Sequence, residues 1–84
     1  MGLLEWFFGM NAGKFSGLEP AEQLRWLDQQ YAAANRTPQT EKFYLDIAEI
    51  RSVVVGVLGK SLTPDVHAAF DRFEADLQRR RRGE

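Results

Sequence analysis

Three prolines, each standing where a helix would begin, set the frame of this 84-residue chain. Proline suits the first turn of a helix because its missing N–H had no partner there. Glu19-Pro20 and Thr37-Pro38 carry this signal, and Thr63-Pro64-Asp65 carries it most fully: a hydroxyl cap, proline, then an acid facing the positive end of the helix dipole. Each is followed by apolar residues at helical spacing. Leu24, Leu27, Tyr31 and Ala34 follow the first, with Asn35 as an expected left-handed stop. Val66, Phe70, Phe73 and Leu77 follow the last. Helices are expected over about 20–34, 38–59 and 64–81.

The middle segment has two seams. Phe43, Ile47, Ile50, Val54 and Val57 form one; Leu45, Ala48, Ser52, Val55 and Gly59 form the other. A helix apolar on two faces belongs between neighbours, so this one is expected to be central. Its end, Ser52 to Leu58, is β-branched and also reads as a strand. No convincing partner strand exists, so helix is favoured, with fraying after Val55 and Gly59 as a left-handed cap.

Before the first helix lie an apolar segment and the stretch Gly9 to Gly17, whose three glycines oppose regular structure. Residues 1–17 are therefore read as an apolar segment with a flexible link, and residues 18–82 as the helical domain. The expected fold is all-α: a small antiparallel three-helix bundle, with the N-terminal segment packed on the middle helix or on a neighbour. One domain of this size buries only about 60% of its unfolded surface. The second seam gives it apolar surface to spare, so a homodimer is expected.

Composition removes several function classes. There is no cysteine, which excludes disulfides and thiol chemistry and suits a reducing compartment such as the cytoplasm. A net charge of −1 gives no overall pull towards nucleic acid or acidic lipid. The N-terminal segment lacks the basic region of a signal peptide and is half the length of a membrane span.

Motifs that carry chemistry are weak. Gly56-Val57-Leu58-Gly59-Lys60-Ser61 has two residues between its glycines where a phosphate-binding loop has four, and Gly9 to Lys14 fails similarly. His67 is the one histidine and reads as an edge residue; Asp71, four residues on, could orient it, but no nucleophile is indicated. The pairs Asp46/Glu49 and Asp71/Glu74 have the spacing of a solvated helix face. Asn35-Arg36-Thr37 fits the glycosylation pattern but is followed by proline and has no secretory context. No cofactor, metal or enzyme activity is expected.

What remains are surfaces. Leu3, Leu4, Trp6, Phe7 and Phe8 put large apolar groups nearly all round a short segment that must be covered. The cover is the rest of the chain, a sister subunit, another protein or a membrane interface, the last disfavoured by Glu5 on the polar face. Trp26 lies off its seam, as an edge residue or an interface anchor. The arginines Arg79, Arg80, Arg81 and Arg82 could attract phosphate or an acidic protein, yet they also suit a solvated helix end. The leading expectation is a non-catalytic protein–protein interaction module: an adaptor, accessory subunit or small inhibitor. The alternatives are a peripheral membrane protein held by residues 1–10 and a weak nucleic-acid binder using the arginine run.

Overall fold

A computed structural model describes residues 10–83. These residues form helices and no strand: α1 (Ala12–Ser16), α2 (Pro20–Arg36), α3 (Glu41–Ser52) continuing into a π-helical turn (Val53–Val57), and α4 (Pro64–Arg81). The chain is compact, with a radius of gyration of 12.4 Å.

Helix α1 lies where the glycines predicted irregular chain. Asn11 is extended, and its side chain accepts the Lys14 N–H at 2.9 Å. Phe15 is fully buried. Only Gly13 costs helix propensity, about 1 kcal/mol, while a cap contributes about 1 and burying a Phe about 2–3. Gly17 lies outside the helix and closes it, its N–H donating to the Lys14 carbonyl while Leu18 N–H donates to that of Phe15.

Helix α2 begins at Pro20 as expected but passes Asn35, and no non-glycine residue described has positive φ. The stop is Thr37, with φ −134° and ψ 122°. Pro38 crowds the α conformation of the residue before it, so Thr37 is extended. Its N–H still closes the last turn on Ala33. A helix starting at Pro38 would leave one residue between two rods, too little to redirect the chain. Thr37 to Thr40 form the connection instead, and α3 starts at Glu41, not 38.

The strand alternative for 52–58 is not adopted. Val53–Val57 winds as a π turn, in which the Leu58 N–H donates to Val53 O at 2.8 Å. The wider turn eases the crowding of three consecutive valines against the turn before them. The Lys60 N–H then bonds Val54 O, and Gly59, at φ 67°, makes the left-handed exit. Thr63 caps α4, accepting the Val66 N–H at 3.3 Å. The span of α4 is the expected one.

The centre of the fold differs from expectation. Helix α4, not α3, packs against both other long helices, which touch each other little. Phe73 shows why: its ring meets Tyr31 of α2 at 5.2 Å and Phe43 and Tyr44 of α3 at 6.1 and 6.3 Å. Ala69 beside Phe70 widens the buried face of α4 so that it serves two partners. Helices α3 and α4 run antiparallel, since Glu41 pairs with Arg81 and Arg51 with Asp71.

The buried face of α2 is rotated from the expected seam. Gln23, Trp26, Leu27, Gln30 and Ala33 are buried, and Leu24, Tyr31 and Ala34 lie at its edge. Trp26 is 3% exposed, edge-on to Phe15 at 5.8 Å. It is neither an edge residue nor an accessible anchor, because α1 lies over it. Gln23 donates to the Phe15 carbonyl at 2.9 Å, tying down the end of α1. Gln30, one heptad on, is 0% exposed, and its amide has no hydrogen-bond partner among the described residues. A buried amide without partners costs about 1–3 kcal/mol. Gln30→Met, similar in shape and apolar, is expected to raise stability by about 1–2 kcal/mol, read as a higher urea midpoint at unchanged slope.

Candidate partner-binding surface

Among the described residues, the second seam of α3 is left largely exposed. On it Leu45 and Val55 are 42 and 43% exposed; the first seam is buried at Phe43, Ile47, Ile50 and Val54, but its last residue, Val57, is 76% exposed, and Leu58 beside it 41%. The two seams point to a helix set between neighbours, with apolar surface to spare for a second copy. Helix α3 is instead a flank of the fold, with α4 on its inner face and α1 beside it. Leu45, Ala48, Ser52 and Val55 succeed one another at spacings of three, four and three, so they form one stripe. Ala48 and Ser52 are small and keep its middle low. Beyond it the π turn carries Val57, and Leu58 follows, between Gly56 and Gly59. This end of the molecule is the exposed apolar surface of α3 and its π turn. The signal was there in the two seams, but nothing in one strip of sequence says which neighbour is missing.

Charged groups frame the stripe. On one side Lys42 pairs with Asp46 at 2.7 Å, and Glu49 lies exposed. On the other, Arg51 holds Asp71 at 2.8 Å and Glu74 at 3.1 Å, reaches the His67 carbonyl and lies over the Phe70 ring. Arg51 thus fastens α3 to α4 and leaves its own side of the stripe firm. A shallow hollow beside it is lined by Arg51, Ser52, Val55, Gly56 and His67.

Asp71 and Glu74 share Arg51 and do not form an acid–base pair with His67. Asp46 is engaged by Lys42. Among the described residues no group of three or more His, Cys, Asp or Glu is arranged to hold a metal. In the glycine-flanked segment the N–H groups of Leu58 and Lys60 bond to Val53 and Val54, so they do not converge on a ligand.

The arginine run is largely spent inside the molecule. Arg79 pairs with Asp76, Arg80 donates to the Gln39 carbonyl at 2.6 Å and lies over Tyr44, and Arg81 meets Glu41 at 3.4 Å. The contacts of Arg80 and Arg81 join the end of α4 to the start of α3. Leu3, Leu4, Trp6, Phe7 and Phe8 lie outside the described residues. No helix described is long and apolar enough to cross a membrane.

The surface therefore offers shape and apolar contact, with charges at its rim and no convergent polar groups at its centre. No family model, curated protein or solved structure matches the chain.

Proposed function

We propose that this chain is a non-catalytic protein–protein interaction module built as a small three-helix bundle. It acts through the stripe Leu45–Ala48–Ser52–Val55 and the adjoining Val57 and Leu58. The observation that supports this reading is the largely exposed second seam of α3. Monomeric domains seldom leave a large contiguous apolar patch in water, and helix-in-groove recognition uses such i, i+3, i+7 rows. The row also suits a second copy of the chain, so a homodimer is the form proposed for the isolated protein. The absence of cysteine fits work in the cytoplasm. The partner is another protein, met through the same stripe.

The paired substitution Leu45→Glu with Val55→Glu tests this without touching the core, because both residues are exposed. Light scattering at micromolar concentration should give twice the 9.6 kDa chain mass for the parent and the single mass for the variant. Affinity purification from the native host should recover a partner with the parent and lose it with the variant. A parent that is strictly monomeric, together with recovery that ignores the two substitutions, rejects the proposal. Flotation of the parent with liposomes, abolished by the same pair, would reassign the stripe to a membrane surface.

A further inference from the structure

The stripe of α3 has a charge pattern as well as a shape. On one long side Lys42 and Asp46 cancel one another, and Glu49 remains. It is exposed, and no cation pairs with it among the described residues. On the other side Arg51 stands against two carboxylates, so one negative charge is left over there too. Those carboxylates, Asp71 and Glu74, keep 67 and 56% of their side-chain surface exposed. Each flank therefore carries one surplus acid, with the apolar row between them. Lys60 follows the left-handed exit at Gly59, past the end of the row and not along it.

The row itself suits a rod. Ala48 and Ser52 are small and one turn apart, so a helix laid over them approaches at the short end of the usual separation of about 8–10 Å between axes. Leu45 and Val55, one turn further out on either side, then meet its apolar face. Charge decides between occupants. A second copy docks by a two-fold, which sets the same patch against itself, acidic flanks against acidic flanks. Nucleic acid and anionic lipid meet the same repulsion. A helix with bases along both edges of its apolar row meets attraction on both.

We infer that the partner of the stripe is an amphipathic helix of another protein, its apolar row bordered on both sides by Lys or Arg. The inference rests on the proposed reading of the stripe as a docking surface, and adds the chemistry of what docks there. The homodimer proposed for the isolated chain is then the weaker complex and gives way to such a helix.

Two synthetic peptides of roughly 20 residues, long enough to be partly helical alone, test this. They share one Leu row and differ only at its borders, Lys in one and Glu in the other. Fluorescence anisotropy of the dye-labelled peptides with the full chain should show the Lys peptide bound about tenfold tighter at ~0.01 M salt, where charges act over about 30 Å. At ~1 M salt that range shrinks to about 3 Å, and the preference should fall to about twofold or less. Glu49→Lys, at an exposed position, should cut the low-salt preference several-fold. Leu45→Gln with Val55→Gln, which alters the row and not its charge, should weaken both peptides. Equal binding of the two peptides, lost in the Gln pair, overturns the inference and leaves the stripe as the docking surface. Lys-peptide binding that ignores the Gln pair overturns it as attraction elsewhere on the chain. Binding of neither peptide overturns it, and light scattering of Leu45→Glu with Val55→Glu then judges the stripe separately. Flotation with phosphatidylserine vesicles, lost in the Gln pair, overturns it in favour of a membrane.

Discussion

Phe73→Ala should remove about 3–5 kcal/mol of stability, the cost of truncating a buried Phe into a cavity that cannot collapse. A chain of 84 residues has a total of about 4–13 kcal/mol to lose. The variant should therefore show a strongly lowered urea midpoint, or no cooperative transition at all. The reason is position. Phe73 is 1% exposed on α4 and meets Tyr31 on one side and Phe43 and Tyr44 on the other. Helices α2 and α3 have little direct contact, so this ring is a main path of coupling between them. Phe73→Leu keeps apolar volume and should cost about 1–2 kcal/mol. A Phe73→Ala protein that melts within 1 kcal/mol of the parent would show that the three long helices are not held through α4.

Phe15→Ala should cost a similar amount, about 3–5 kcal/mol, although Phe15 lies in a stretch that reads as a glycine-rich link. Its ring is fully buried, edge-on to both Trp26 and Phe70. Removing it also undoes α1, since a five-residue helix is too short to stand alone and holds only by packing. The Gln23 bond to the Phe15 carbonyl should go with it. The expected record is a lowered midpoint together with a red-shifted Trp26 emission. Asn11→Ala, which removes only the cap, should cost about 1 kcal/mol and leave the emission unmoved. If Phe15→Ala proves as mild as Asn11→Ala, α1 is an ornament on the surface and not part of the core.

These two residues mark how far the sequence could be read. Phe73 was legible: it stands at the third place of a clean four, three, four row behind the strongest cap in the chain, Thr63-Pro64-Asp65. Phe15 was not, because a single aromatic among glycines has no period to reveal it. Trp26 was misread for a related reason. Periodicity finds a face but not its width. The buried face of α2 is broad enough to include Trp26 and Gln30, and Phe15 of α1 packs edge-on to Trp26 there. The candidate surface followed the same rule. The residues Leu45, Ala48, Ser52 and Val55 were identified as a seam, and their exposure was not, because that depends on which element arrives to cover them.

Local chemistry in the chain was thus enough for the helical class, the cap and span of α4, the start of α2 and the left-handed exit at Gly59. All of these are decided within a turn or two of backbone, where proline, hydroxyl caps and glycine act on their own neighbours. Tertiary packing alone decided that α4 is the centre, that the glycine stretch folds onto Trp26, and that one apolar seam stays in water. Burial is a property of pairs of elements distant in sequence, and the free energy of hiding one face is not set until its partner face is known.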